Sequence, residues 1–166
     1  AEAACDLLLT SSLDPEDCPG SITVFKENLM LTVPSGHPFA NRPHVHLKEL
    51  MNEDFVASKP TSVYRKIMAY YFEQAGFKPR IVLDSDYSSI IKSLVQSGIG
   101  VAIMPEYTWE EAADAHLAFI PIVDPPCYRY LKLVWNSDTY ITHAVTLFKN
   151  YIIEFFKELE KKTATP

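Results

Sequence analysis

"SLVQSGIGVAIMP", residues 93–105, starts with helical spacing and ends as an apolar run, with two glycines at the changeover. Ile90, Ile91, Leu94 and Val95 recur at the intervals that give a helix a single apolar stripe. Gly98 stands where such a helix closes on a left-handed residue, a conformation glycine adopts without steric cost. Gly100 is then expected to let the backbone swing into the strand "VAIMP". The stretch reads as a helix-to-strand connection.

Working outward, the same alternation repeats upstream. "DFVAS" at 54–58 has the composition of a strand and ends in the polar group "KPTS". Ile67, Met68, Tyr71, Phe72 and Ala75 then form an apolar stripe, on a helix capped by Thr61 or Ser62 and stopped by Gly76. "FKPRIVLDSD" supplies a strand at about 80–83, and "DSDYSS" offers several N-caps for the helix that leads to Gly98. Strand, helix, strand, helix and strand with short loops predict a parallel sheet covered by helices.

Farther out, "CDLLLT" at 5–10 has the length of a buried strand, and "SSLDPEDCPGS" is a surface loop. Two β-rich runs follow at 22–25 and 29–33, before Pro34 and Gly36 break the pattern. "NRPHVH" is a polar turn and "LKELM" a short helical piece. Downstream, "EYTWEEAADAH" predicts a short acidic helix, and "LAFIPIV" and "RYLKLVW" predict strands separated by "DPP". The chain finishes on a long helix with Ala144, Val145, Phe148, Ile152, Phe155, Phe156 and Leu159 on its apolar face and Thr142 as its cap.

Composition narrows the function. With 48% hydrophobic residues among 166, the chain has enough apolar surface for one domain or two small lobes. A formal charge of -6 argues against a DNA-gripping surface, which relies on clustered Lys and Arg; "KELEKK" near the end is mixed in sign and reads as a solvated helix end. Cys5, Cys18 and Cys127 lack the close pairing of a zinc or redox motif, which favours a cytoplasmic thiol protein and leaves a disulfide between two of them open. No apolar run is long enough to span a bilayer, and "AEAACDLLLT" lacks the basic flank of a signal peptide. It reads as a helix end entering a strand, so the chain is expected to be a fragment of a longer one.

Taken in order, "CDLLLT", "ENLMLTVPSGHPFA" with its strand and His-Pro pair, "HLKELMNEDFV", "FEQAGFKPRI", "IIKSLVQSGIGVAIMP" and "LKLVWNSDTYITHAVTLFKNYI" resemble the effector-binding domain of the LysR-type transcriptional regulators. The motifs cover nearly the whole chain, and their specificity lies in order and spacing. The resemblance implies an α/β fold of the type 2 periplasmic-binding-protein class: two α/β lobes with mixed sheets joined by two crossing strands, near 29–33 and 120–123. Residues 1–33 and 121–166 would form lobe I, and 34–120 lobe II. The family's winged helix-turn-helix domain, linker helix and opening strand-helix-strand of lobe I have no counterpart here, so lobe I is expected to be incomplete, with an exposed apolar face. The implied function is regulatory: a small organic effector bound in the interlobe cleft controls DNA binding by a separate winged helix-turn-helix domain. Expected partners are that effector, DNA only through the other domain, and further copies of the chain in a homo-oligomer, with no membrane. Neither a cofactor nor enzymatic activity is expected, and the location implied is cytoplasmic.

In open parallel α/β sheets, ligands settle beyond the carboxyl ends of the strands. The first such place is "SKPTSVYR", where Lys59, Pro60, Thr61, Ser62 and Tyr64 surround a helix start whose free amides and dipole suit a carboxylate or other small anion. Thr61 and Ser62 are read equally well as simple caps, and the resemblance favours binding. The second is "DSDYSSI", with Ser85, Asp86 and Ser88; Asp84 and Asp86 would repel an anion, so an amine or a polar neutral group fits there too. Met104 and Pro105 would form an apolar wall, although a core role is the commoner one for methionine. From lobe I, Thr10 and Ser11 end the first strand and Phe25 precedes the crossing strand.

Catalytic readings find little support. His44 and His46 alternate and would share a strand face, but no Asp, Glu or Cys is placed to complete a metal site, and surface histidines are the simpler account. His37 in "GHPF" matches a structural turn of the family. Neither a G-x-S-x-G elbow nor a nucleotide-binding glycine motif is present. The rival classes are a solute-binding receptor of a transport system, a catalytic relative on the same fold, and an interaction domain without a ligand.

Overall fold

The apolar run at the start of the chain becomes strand β1 (Leu7–Ser12), although not the buried one expected, since Leu8 and Leu9 stay exposed, and the two β-rich runs after it become one strand of 14 residues, β2 (Ser21–Pro34). The polar residues between those runs do not interrupt the ladder, because they keep its period of two: Lys26 and Asn28 face solvent while Glu27 points inward. Glu27 is buried, and its carboxylate accepts the Tyr107 N–H at 2.7 Å. This computed structural model describes residues 5–107, 116–137 and 141–163. The remaining elements are β3 (Val45–His46), a 3-10 turn (Leu47–Asn52), β4 (Asp54–Ser58), α1 (Val63–Gln74), β5 (Arg80–Ser85), α2 (Ser88–Gln96), β6 (Ala102–Pro105), β7 (Leu117–Asp124), β8 (Tyr128–Trp135) and α3 (His143–Thr163). The acidic helix expected around 106–116 falls largely on 108–115, outside the described residues.

The chain divides into two compact units, Ala1–Lys26 with Arg129–Pro166, and Glu27–Tyr128. In the first unit β8 lies between β1 and β2 and runs antiparallel to β1, from Leu7 opposite Trp135 to Ser12 opposite Tyr130. Phe25 and Phe156 pack with ring centroids 5.7 Å apart in its core, beside buried Leu131 and Leu133. Thr142 caps α3 by accepting the Val145 N–H at 3.3 Å, as its position before the helix predicts. The apolar face of α3 is only partly covered, however. Phe156 is its buried residue, while Phe148 and Phe155 of the expected face stay 56% and 50% exposed, beside exposed Leu147 and Tyr151.

In the second unit β6 and β7 both run antiparallel to β2, and β3 runs parallel to β7. The predicted strand-helix-strand pattern is present as the parallel pair β4 and β5, with Val101 bridged in parallel to Phe55. It is short, because after Val101 the chain leaves that pair and ladders onto β2 as β6. The core groups Val56 of β4 with Ile91 and Val95 of α2, Ala102 and Met104 of β6, and Leu117. On α1, Tyr71 donates its phenol hydrogen to the Tyr128 carbonyl at 2.7 Å and accepts the Tyr128 N–H at 3.1 Å. Burial pushes that phenol up to about 12.

The two glycines of the opening stretch work by different means. Gly98 has φ +77°, as expected of a left-handed helix end. Gly100 does not lie in that region; a Cβ there would stand 2.5 Å from the Asp54 carbonyl oxygen, so its role is close approach rather than the swing that its position suggests. The helix caps also separate. Ser62, not Thr61, caps α1, whereas the N-cap of α2 is Tyr87, with no side-chain bond. The three cysteines are free, and burial raises the Cys127 thiol to about 12. Among the described residues, no helix is long and apolar enough to cross a membrane, and no group of three metal-ligating side chains occurs. His46 faces Asp124 at 3.5 Å.

Candidate functional site

The parallel pairing of β4 and β5 sets Ser58 opposite Ser85, so two loops leave neighbouring strand ends and enter α1 and α2. Lys59 in the first loop and Asp86 in the second meet at 2.6 Å, closing one loop on the other. The hydrogen bond that Lys59 donates to Asp86, reinforced by the charge of that carboxylate, raises the Lys59 pKa above the usual lysine range, with Asp84 adding to the effect. Asp86 is therefore neutralised where it stands. Pro60 and Thr61 are exposed, and the Ser62 hydroxyl accepts the Tyr64 N–H at 3.2 Å. Helix geometry leaves the other amides of this first turn without intrahelical partners, at the positive end of a 12-residue helix.

Other side chains brace this loop from behind. Tyr64 is buried and donates its hydroxyl hydrogen to the Ile103 carbonyl at 2.9 Å, which fixes the start of α1 on β6. Arg65 donates to the Ser58 carbonyl at 2.9 Å. Ser58 itself is 7% exposed, and its hydroxyl has no hydrogen-bond partner. A buried hydroxyl left in that state costs about 1–3 kcal/mol, and this one sits at the root of the loop that enters α1. Across from it, the Ser85 hydroxyl accepts the Tyr87 N–H at 3.1 Å, and Ser88 opens α2.

At the carboxyl end of β6, Met104 and Pro105 line a pocket of about 230 Å³ with Met30, Lys92, Glu106, Tyr107 and Phe119. Met104 is fully buried, so it belongs to core and pocket wall at once. Lys92 follows Ser88 by four residues on α2 and so shares its face. A larger groove of about 690 Å³ lies elsewhere on this unit, reaching from Arg65 and Phe72 to Phe77 and Pro79. It opens at the turn where α1 gives way to β5, toward the amino end of that strand rather than the carboxyl end.

The structure thus brings together Lys59, Pro60, Thr61 and Ser62 with Ser85 and Asp86, and sets Ser88 on the helix whose next turn meets Met104 and Pro105. The three first-unit candidates are described within their own unit. Thr10 lies opposite Lys132 and Ser11 opposite Leu131, the Ser11 hydroxyl accepts a hydrogen from Arg129 at 2.9 Å, and Phe25 is in the core. Ser58 and Lys92, which border these loops and this pocket, are not among the candidates read from the sequence. Ser58 was hidden as an ordinary strand residue, but the spacing of Lys92 from Ser88 is a signal that was available.

Comparisons with known proteins agree on one family. Residues 2–157 match the family model described as the LysR substrate binding domain. The chain is 32% identical over 145 residues to the transcriptional dual regulator GltC of Bacillus subtilis, covering 87% of this chain and 48% of that protein. It is 28% identical over 153 residues to the uncharacterized HTH-type transcriptional regulator YybE of the same species, covering 92% of this chain and 52% of that one. The chain thus spans about half the length of these curated relatives. Among solved structures, the effector binding domain of QuiR in complex with shikimate superposes with a TM-score of 0.78 at 22% identity, covering 92% of this chain and 72% of that one. The CcmR regulatory domain of Synechocystis PCC6803 in complex with 2-PG gives 0.80 at 19% identity, covering 93% and 74%.

Proposed function

The chain belongs to the LysR substrate-binding domain family, a family of regulators rather than enzymes, and from that premise we propose that it binds a small organic effector at the loops 59–62 and 85–88. In this reading Thr61 and Ser62 supply hydroxyls and helix-start amides, Lys59, Pro60, Tyr64, Ser85, Asp86 and Ser88 shape the loops, and Met104 and Pro105 face the apolar part of the ligand. The effector does no chemistry. It favours one of two conformational states, and that preference is passed to a separate winged helix-turn-helix domain in a cytoplasmic homo-oligomer.

The observation that carries this reading is the pair of strand ends at Ser58 and Ser85, whose loops are clasped by Lys59 and Asp86 over a helix start. The complexes of the two structural neighbours, with shikimate and with 2-PG, support a small-molecule ligand. The test is a thermal-shift screen of small carboxylates, aromatic acids, amino acids and sugar phosphates. A ligand at a hundred times its Kd stabilises the folded chain by about 2.7 kcal/mol. Replacing Thr61 and Ser62 together by alanine is expected to weaken such a hit at least about tenfold, while loss of the Ser62 cap lowers stability by only about 0.5–2 kcal/mol. A hit that survives the double change undiminished places the effector elsewhere.

A further inference from the structure

Lys92 is a half-buried cation that no described residue engages through a hydrogen bond, an ion pair or a ring contact. Among the other cations of the second unit, Lys48, Lys66 and Lys78 are exposed to solvent and the remaining four are committed. Arg42 pairs with Glu49, Lys59 with Asp86 and Arg80 with Asp54, and Arg65 donates to the Ser58 carbonyl. Partly burying an ammonium without a partner is unfavourable, and the side chain that bears it lines the pocket at the end of β6 rather than open solvent. Met30, Met104, Pro105, Tyr107 and Phe119 supply most of the other walls, which give a largely apolar interior with one cationic group. The pocket also holds one carboxylate, Glu106, which accepts a hydrogen from the Asn28 amide at 2.9 Å.

We propose that this pocket is the subsite for the acidic head of the effector: Lys92 pairs with a carboxylate while Met30, Met104, Pro105 and Phe119 enclose a compact apolar body. The inference rests on the effector-binding reading above and adds the ligand's charge, on which the loops alone are neutral because Lys59 is already paired with Asp86. A pocket of about 230 Å³ lies just under the ~300–1,000 Å³ usual for small-molecule sites, which selects small acids. Glu106 disfavours a second negative group on the same ligand, so monocarboxylates are preferred over dicarboxylates.

The test uses benzoate, phenylacetate and 3-methylbutanoate as probes, each against its neutral amide, with methyl-labelled methionine as the reporter. The chain has four methionines. Met30 and Met104 line the pocket, whereas exposed Met51 and buried Met68 of α1 serve as internal controls. At least one acid is expected to shift the Met30 and Met104 methyl signals and leave the other two in place, with its amide about tenfold weaker or worse. Lys92→Gln is expected to weaken the acid tenfold or more with unchanged control signals, and Glu106→Gln to tighten it. Acid binding that Lys92→Gln leaves intact overturns the proposal, as does a failure of all three acids to move Met30 and Met104 at 20 mM, roughly the weak limit of useful affinity. If a neutral or amine ligand is found that depends on Thr61 and Ser62 but not on Lys92, the wider reading stands and this one falls.

Discussion

Asp86 decides what its loop can offer to a ligand. Unpaired, it would turn anions away; held at 2.6 Å from Lys59, it cancels the charge of the lysine that would otherwise attract them. Asp86→Asn is expected to release Lys59 and to raise the affinity of an anionic ligand at loop 59–62 by about two- to fivefold, in line with the small worth of exposed ion pairs. Isothermal titration of wild type and variant with the same acid reads this directly, and an unchanged Kd removes Lys59 from the site. The raised Lys59 pKa means that the pair holds at neutral pH and that its contribution is lost only as pH rises through the folded value, above 10.5. None of this was legible in the sequence. That Lys59, Asp86 and the two hydroxyl residues occupy loops followed from turn composition, but which charges cancel depends on the register that sets Ser58 against Ser85. The choice between Thr61 and Ser62 as cap was likewise open, since both are good acceptors and only backbone geometry separates them.

At the scale of elements, local pattern carried most of the reading. The stripe of α1 and the strand "DFVAS" lie where periodicity puts them, and α2 buries Ile91 and Val95 of its expected stripe while Ile90 stays exposed. The pattern failed where pairing is non-local. β2 looked like two strands because Lys26, Glu27 and Asn28 lack apolar character, yet alternation in and out of the core persists through them. Gly100 was misjudged for the same reason, since the group that demands a missing side chain is the carbonyl of Asp54, far away in sequence. Gly100→Ala is expected to destabilise the chain by about 1–3 kcal/mol, the usual cost of forcing a methyl into closed space. Urea unfolding measures it, and a loss below about 0.5 kcal/mol means that β4 and the residue 101 bridge tolerate separation.

For the whole molecule, the family and the α/β class were legible because six motifs keep their order from one end of the chain to the other. The antiparallel seating of β6 and β7 on β2 was not, because nothing local encodes which distant strand a run will choose. The two units differ in how thoroughly they are packed. Leu31, Val33, Leu47 and Leu50 of the second are at 0% exposure, whereas α3 of the first buries Phe156 and leaves Leu147, Phe148, Tyr151 and Phe155 in the open. Hydrogen exchange is therefore expected to proceed faster along α3 than along residues 29–33, with opening free energies that track local burial. Equal protection in both segments would show that a single cooperative unfolding governs them. The clasp of Lys59 on Asp86 has a further consequence for how an acid reaches a chain of net charge -6. Added electrolyte shortens the Debye length to about 8 Å at 0.15 M, which mutes the global repulsion and loosens the clasp together. Stopped-flow mixing should then find the acid arriving faster as ionic strength climbs, opposite to the slowing seen when a cationic surface steers an anion.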